Sequence, residues 1–214
     1  MDYSALIVAA GSGQRMGLGY NKVFYPLEEG VTVLQKTLQI FIEDYRCKQI
    51  VLVMSKENLP QAVEENGTKK ILYVLGGKTR QESVFNGLMA VSENQVLIHD
   101  GARPYLKKES LDQLLVTLKT EKACILAVAV KDTIKEVNQG YIIKTPPRNQ
   151  LMQAQTPQAF ETTLIRESYK KARNANTEVT DDAQIVELFG DTKIKIIEGD
   201  YGNKKITTME DITS

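Results

Sequence analysis

The chain has 214 residues, of which 42% are hydrophobic and 25% charged, a composition typical of one sizeable globular α/β domain. Its 27 basic and 27 acidic side chains cancel, which argues against the strongly basic surface of a nucleic-acid-binding protein and against a general attraction to anionic membranes. An anionic substrate must therefore be bound by a local cluster of positive charge.

Apolar runs typical of buried parallel strands alternate along the chain with amphipathic stretches typical of helices. The strands are predicted at 3–10, 49–54, 71–75, 95–99, 123–128 and 193–198. The helices are predicted at 33–45, up to about 65, at 79–91, from about 108, at 161–171 and at 181–188. This alternation predicts a Rossmann-like three-layer α/β sandwich with a mostly parallel sheet, in which ligands bind at the carboxyl ends of the strands.

Between about residues 130 and 160 the alternation stops. The segment VKDTIKEVNQGYIIKTPPRNQL predicts a β-hairpin that turns at 138–140 and ends in a Pro-Pro arm. We therefore expect a single domain over residues 1–214 with a projecting β-arm at about 131–156, which covers a site or grips a partner chain.

The N-terminal segment and the cysteines predict a cytoplasmic protein. The N-terminal run MDYSALIVAAG is too short for a membrane span and lacks the basic flank of a signal peptide. Cys47 and Cys124 have no second cysteine or clustered histidine beside them, so both are expected to be reduced thiols.

The strongest local signal is AAGSGQRMG, which follows the first strand and precedes Asn21 and Lys22. Its small residues keep the turn bare, so that backbone N–H groups can approach an anion: Ala9, Ala10, Gly11 and Gly13. Arg15 and Lys22 add two cations to the same loop. The spacing matches neither a Walker A loop nor GxGxxG. We expect a polyphosphate site, in which both cations neutralise charge that grows on the α-phosphate and the leaving pyrophosphate.

The segment LIHDGARP places Asp100 and Gly101 at the end of the fourth strand, where we expect contact with a nucleotide. The Asp100 carboxylate either holds Mg²⁺ or a substrate hydroxyl beside the phosphates, or it caps the turn. His99, the only histidine, is expected to be a packed or hydrogen-bonded ring rather than a general base. Arg103 either binds an anion or pins the Asp100 turn.

Two further sets of polar residues are candidates. In GGKTRQES, Gly77 allows close backbone approach, and Arg80 or Ser83 reaches a base or a phosphate, unless Thr79 and Ser83 serve only to start a helix. Downstream, the residues that could orient a phosphorylated co-substrate are Lys131, Thr133, Arg148, Thr180, Lys204 and Lys205. Asp181 and Asp182 are interpreted as the start of a helix, where negative charge suits the helix dipole.

Taken in order, these motifs resemble the 2-C-methyl-D-erythritol 4-phosphate cytidylyltransferase family. The resemblance rests on AAGSGQRMG with NK, GGKTRQES, HDGARP, VKDTIK, RNQLMQAQTPQAF, TDDA and GNKKIT, from about residue 3 to 212. It implies the nucleotide-diphospho-sugar transferase type of fold and a homodimer whose arms embrace. It also implies an Mg²⁺-dependent reaction of CTP with methylerythritol phosphate, which releases pyrophosphate in isoprenoid precursor biosynthesis.

The resemblance also implies a role for each candidate residue. Arg15 and Lys22 would stabilise the pentavalent phosphorus, while Arg148, from the other subunit, and Lys205 would position the incoming phosphate. The remaining roles are cytosine recognition by Gly77 and Ser83, and binding of the sugar alcohol by Asp100, Thr133 and Thr180.

The sequence departs from the family pattern at three places. Lys78 stands where relatives often have an acidic residue, Asn21 replaces a common proline, and the chain stops short of a C-terminal helix that many relatives carry.

Three alternatives remain open from the sequence. A ribitol-5-phosphate cytidylyltransferase shares HDxxRP, TPQxF and the KIT segment, although Lys135 and the run RNQLMQAQTPQ favour the methylerythritol enzyme. The others are a nucleotidyltransferase with another donor and a sugar 1-phosphate acceptor, and a nucleotide-binding module without catalysis.

Overall fold

The computed structural model describes residues 1–11, 16, 18–27 and 30–213. Nine strands are present in this part of the chain: β1 (Tyr3–Val8), β2 (Cys47–Met54), β3 (Ile71–Leu75), β4 (Gln95–Asp100), β5 (Ala123–Ala129), β6 (Glu136–Asn138), β7 (Tyr141–Lys144), β8 (Met152–Glu161) and β9 (Lys195–Glu198). Seven of them form one sheet in the order β3-β2-β1-β4-β8-β5-β9. Only β8 runs antiparallel to its neighbours, so the predicted mostly parallel sheet is confirmed.

Helices cover both faces of this sheet. Their bounds are α1 (Val33–Glu43), α2 (Leu59–Asn66), α3 (Arg80–Ala90), α4 (Lys108–Thr117), α5 (Thr162–Asn174), α6 (Asp182–Phe189) and the single turn α7 (Glu210–Thr213). Apolar residues of α1, α2 and α4 share one core with Ala5 and Ile7, whereas those of α3, α5 and α6 share a second core with Leu6. Because successive strand residues point to opposite faces, β1 contributes side chains to both cores. The sheet is therefore the middle layer of the predicted three-layer sandwich. None of the described helices is long and apolar enough to cross a membrane.

The ends of α1 illustrate how local sequence sets the element bounds. Thr32 and Gln35 form a capping box, in which each side chain accepts a hydrogen bond from the other residue's backbone N–H, at 3.2 and 2.8 Å. At the other end, Lys70 Nζ donates to the carbonyls of Phe41, Ile42 and Asp44 at 2.8–3.0 Å. A cation at these terminal carbonyls complements the negative end of the helix dipole.

The strand β8 was not predicted, because its sequence MQAQTPQAFE is polar and contains Pro157. Proline lacks a ladder donor and is found inside sheets mainly at bulges. The register of β5 against β8 shifts between Ile125 and Ala127, which pair with Gln158 and Ala154. Pro157 therefore lies at an irregularity that tolerates it. Residues 152–156 therefore belong to the central sheet and not to the arm predicted at about 131–156.

The predicted hairpin is confirmed as a separate two-stranded sheet made of β6 and β7. Gln139 and Gly140 make its turn with φ values of 48° and 85°, the left-handed conformation that two-residue hairpin turns favour. Three of its apolar side chains are largely exposed, namely Val137, Tyr141 and Ile142, at 61–78%. The expectation that this arm covers a site or grips a partner chain stays a prediction.

Both cysteines are buried free thiols. Burial raises the pKa of Cys47 to about 11 and that of Cys124 to about 12, so neither is a thiolate near neutral pH. Neither thiol forms a disulfide bond, which agrees with the expectation from the sequence.

The strands β1 and β4 approach each other closely where they end. The backbone N–H of Gly101 donates to the carbonyl of Val8 at 2.9 Å. A Cβ atom on Gly101 would lie 2.8 Å from the Cβ of Ala9 and 3.2 Å from the carbonyl oxygen of Val8. Both are atoms that cannot rotate away, so this junction requires glycine.

We predict that Gly101→Ala lowers the free energy of unfolding by about 1–3 kcal/mol through overpacking, measured by urea unfolding. Gly11→Ala is the matched control, because a Cβ there meets none of the described atoms within 4 Å. Its unfolding free energy should change by less than about 0.5 kcal/mol. Equal stability of Gly101→Ala and the wild type would contradict the close approach of the two strands.

Candidate active site

The carboxyl ends of β1, β3 and β4 open into a cavity of about 570 Å³. Its described lining consists of Val8, Ala9, Ala10, Gly11, Asn21, Lys22, Val23, Gly77, Lys78, Thr79, Arg80, Ser83, Asp100, Ala102 and Lys205. Four of these side chains are basic and one is acidic, although the whole chain is neutral. The local cluster of positive charge that the sequence required is therefore present at the edge where such sheets bind ligands.

The first predicted loop supplies one wall of this cavity. Ala9, Ala10, Gly11 and Lys22 line it, while Gly13 and Arg15 lie outside the described residues. The two alanines also have a packing role. A Cβ on Gly76 would lie 2.5 Å from the Cβ of Ala10, as one on Gly101 would crowd Ala9. Small residues are thus needed here to let three strand ends meet, as well as to leave room for a ligand.

Asp100 lines the cavity at the end of β4 and is 6% exposed. Its Oδ2 lies 3.0 Å from Lys205 Nζ and 3.3 Å from Arg103 Nε, and its Oδ1 lies 3.7 Å from Arg80 Nη2. Burial by itself would raise the pKa of Asp100, but these three positive charges outweigh it and hold the pKa well below its usual range. Asp100 is therefore ionised and gathers three cations from three separate segments of the chain.

His99 supports the Asp100 turn from behind. Its Nδ1 lies 2.9 Å from Thr156 Oγ1, and its Nε2 lies 3.1 Å from the carbonyl oxygen of Arg103. Because Thr156 Oγ1 already accepts from the backbone N–H of Asp100, its hydroxyl proton is available to His99 Nδ1, and His99 Nε2–H donates to Arg103. The ring is fully buried, so the prediction of a hydrogen-bonded histidine is confirmed.

Arg103 holds the Asp100 turn in place, which is the second of its two predicted roles. Its Nη1 donates to the carbonyl of Asn203 at 2.7 Å, while its Nε faces Asp100. Asn203 in turn donates from Nδ2 to the carbonyl of Thr156 at 2.9 Å. These bonds fasten the segment that carries Lys205 to the end of β4.

The start of α3 forms the opposite wall. Thr79 caps the helix by accepting from the N–H of Glu82 at 3.0 Å. Ser83 donates to the carbonyl of Thr79 at 2.8 Å and accepts from the N–H of Gly77 at 3.0 Å. Both residues therefore have the helix-entry role, and both also line the cavity.

Arg80 is anchored by a buried carboxylate. Its Nη2 and Nη1 donate to the two oxygens of Asp182 at 2.7 and 3.2 Å, and Asp182 also accepts from the hydroxyl of Tyr169. Asp182 is completely buried. It is the first residue of α6 and Asp181 is its N-cap, so the interpretation of both residues as a helix start is confirmed. A paired charge of this kind fixes the guanidinium in one orientation towards Asp100.

Several of the described candidates are not part of this lining: Gly101, Arg103, Lys131, Thr133, Arg148, Thr180 and Lys204. Thr133 lies on the exposed base of the arm, and Arg148 Nη1 donates to the carbonyl of Lys131 at 2.8 Å. Thr180 donates its backbone N–H and its hydroxyl to Gln184 Oε1, a contact that caps α6. Within the described part of one chain, the Arg148 and Thr180 side chains thus bond to residues outside the cavity lining.

Sequence reasoning missed the motif TPQ as a structural support of the site. Thr156 joins His99 to Asp100, as described above. Gln158 donates to Asp181 Oδ2 and accepts from the N–H of Ala183, both at 2.8 Å, and so holds the start of α6. The partners of both residues lie far away in the sequence, so no local signal marks these bonds.

Comparison with known proteins finds one family. A family model described as 2-C-methyl-D-erythritol 4-phosphate cytidylyltransferase matches residues 3–214. The 2-C-methyl-D-erythritol 4-phosphate cytidylyltransferase of Halalkalibacterium halodurans is 43% identical over 223 residues, which cover 99% of this chain and 94% of that protein.

Two solved structures are similar over nearly their whole length. The 4-diphosphocytidyl-2C-methyl-D-erythritol synthase from Anaerococcus prevotii superimposes with a TM-score of 0.87 and 38% identity, covering 99% of this chain and 93% of that chain. The 2-C-methyl-D-erythritol 4-phosphate cytidylyltransferase of Francisella tularensis gives 0.85 and 31%, covering 100% and 97%.

We predict that His99 makes stability depend on pH. Burial lowers its pKa from 6.5 to about 4, so the unfolded chain binds more protons than the native one between these values. The free energy of unfolding should therefore fall as the pH drops from 6.5 towards 4, by about 3 kcal/mol in total.

Urea unfolding at several pH values measures this dependence, with His99→Asn as the comparison. Asparagine keeps an acceptor for Thr156 but does not titrate, so this variant should be less stable at pH 7.5 and lose less stability on acidification. Identical slopes in the two proteins would show that His99 is not the group responsible.

Proposed function

The chain belongs to the 2-C-methyl-D-erythritol 4-phosphate cytidylyltransferase family, and on that premise we propose that it transfers the cytidylyl group of CTP to 2-C-methyl-D-erythritol 4-phosphate. The product is a CDP-linked alcohol that serves isoprenoid precursor biosynthesis. The observation that carries this proposal is the cavity at the carboxyl ends of β1, β3 and β4, where four basic side chains face one ionised carboxylate. We further propose that the enzyme works in the cytoplasm, where its two buried thiols would stay reduced.

The reaction joins two anions, so positive charge is its main requirement. A phosphate oxygen of the acceptor attacks the α-phosphorus of CTP and forms the new P–O bond. The bond from that phosphorus to the oxygen bridging towards the β-phosphate breaks, and pyrophosphate leaves with the electron pair. No covalent intermediate with the protein is needed, because positioning and electrostatic stabilisation supply the catalysis.

Lys22 and Lys205 come to the cavity from different segments of the chain. Lys22 follows the loop after β1, where backbone N–H groups would donate hydrogen bonds to the triphosphate. Together with Arg15, it would stabilise charge on the α-phosphate. Lys205 contacts Asp100 and would position the phosphate of the acceptor. Gly77 and Ser83, at the start of α3, would face the cytosine.

Asp100 is the residue that would hold Mg²⁺. Its low pKa keeps the carboxylate ionised, and Mg²⁺ is commonly bound by one or two carboxylates together with substrate phosphates. Among the described residues, no group of three or more acidic, histidine or cysteine side chains could hold a metal ion, so the ion would arrive with the nucleotide. When bound, it would neutralise charge on the phosphates.

The arm would complete the site from a second copy of the chain. Its apolar strands are exposed, and Arg148 and Thr133 lie on the arm rather than in the lining described for their own chain. A two-fold dimer that exchanges arms would bury the apolar patch and bring Arg148 to the partner's cavity. Thr133, and Thr180 at the start of α6, would then contact the sugar alcohol.

We predict turnover of CTP with methylerythritol 4-phosphate and not with ribitol 5-phosphate. Release of pyrophosphate in the presence of Mg²⁺ measures both reactions. The relatives named above favour the first acceptor. Turnover with ribitol 5-phosphate alone would move the protein to CDP-ribitol synthesis, and an absence of turnover with both acceptors would contradict the proposed activity.

We predict that two inactive variants restore activity when they are mixed. Lys22→Ala and Arg148→Ala should each reduce kcat strongly. In a mixed dimer, one of the two sites has an intact Lys22 from one chain and an intact Arg148 from the other. Random exchange of subunits makes about half of the dimers mixed, so roughly a quarter of wild-type activity should return. Activity no higher than the mean of the two variants would contradict exchange of the arms, and a monomeric wild type in sedimentation would do the same.

A further inference from the structure

The side chain of Asn21 joins the two ends of the loop that connects β1 to Lys22. It is only 4% exposed and lies directly before Lys22. Its Nδ2 donates to the carbonyl of Ala9 at 3.1 Å, and its Oδ1 accepts from the N–H of Val23 at 3.2 Å. One amide group therefore bonds to both sides of the loop that separates residues 9 and 21.

Each side of this contact is itself anchored. Ala9 lies just beyond β1, where its N–H donates to the carbonyl of Val53 at 2.9 Å. Val23 is buried in a short 3₁₀ turn, Lys22–Phe24, which Asn21 caps. The Asn21 amide thus connects the edge of the central sheet to the turn from which the Lys22 side chain extends.

We propose that Asn21 is a positioning residue, which fixes Lys22 at the phosphate end of the cavity by clasping its turn to Ala9. This inference rests on the proposed function, because it assigns Asn21 a role in the reaction of Lys22. Without the amide, the buried carbonyl of Ala9 and the buried N–H of Val23 would each lose a partner. The turn would then relax, and Lys22 would no longer be held against the α-phosphate.

The clasp predicts a specific kinetic defect in Asn21→Ala. A misplacement of about 1 Å can cost up to about a hundredfold in rate, so kcat should fall about tenfold to a hundredfold. The KM values for CTP and for the acceptor should change little, because the rest of the cavity is intact. Asn21→Asp, which keeps the acceptor for Val23 but loses the donor to Ala9, should also be impaired.

A double-variant comparison separates positioning from general damage. If Asn21 acts through Lys22, adding Asn21→Ala to Lys22→Ala should lower kcat by less than about twofold beyond Lys22→Ala alone. Asn66→Ala is the matched control, since Asn66 Nδ2 donates to the carbonyl of Ala62 at the same 3.1 Å but lies at the end of α2. Its kcat should stay at the wild-type value.

Hydrogen exchange tests the clasp without any turnover. The amide of Val23 should exchange about fivefold faster in Asn21→Ala than in the wild type, because it loses its bond to Asn21. Unchanged exchange would overturn the clasp. If the wild type is active, either of two results would overturn the positioning role. One is an unchanged kcat in Asn21→Ala, and the other is a double variant in which the kcat losses of Asn21→Ala and Lys22→Ala multiply. An inactive wild type would contradict the proposed function and leave the exchange result as the test of the clasp.

Discussion

The carboxylate of Asp100 is the interaction on which the site depends. It brings together Arg80 from the start of α3, Arg103 from its own turn and Lys205 from the segment after β9. Without a central negative charge, three cations this close would repel one another. With it, they form a stable cluster whose net charge is still positive. The fold contributes by ending β4 at this residue and by supporting the turn with His99 and Thr156.

Much of the fold was predictable because the physical signals are local. Buried parallel strands are continuous apolar runs, and β1 to β5 and most helices were found within a few residues of their observed bounds. The same reasoning placed Ala9, Gly11, Lys22 and Asp100 at one edge of the sheet, since each follows a strand. That edge is where the cavity lies.

The part that was not predictable depends on tertiary partners. The strand β8 lies between β4 and β5 in the sheet. Its polar residues are nevertheless typical of an exposed segment, and the sequence therefore predicted that its first half belongs to the arm. Gln155, Thr156 and Gln158 are buried because each bonds to a distant segment: Gln155 to Asp200, Thr156 to His99 and Gln158 to α6. Such bonds have no local signature. Asn21 is a similar case, because only the structure shows that its amide reaches Ala9.

The measurement that tests this account most directly is a crystal structure with CTP and Mg²⁺ bound. The account predicts that the triphosphate lies between Gly11 and Lys22 and the cytosine against Gly77, with Asp100 facing the phosphates. Nucleotide bound instead in the neighbouring cavity of about 490 Å³, which Phe85 and Arg173 line, would contradict it. In that case the cation cluster around Asp100 would be a structural feature rather than the catalytic centre.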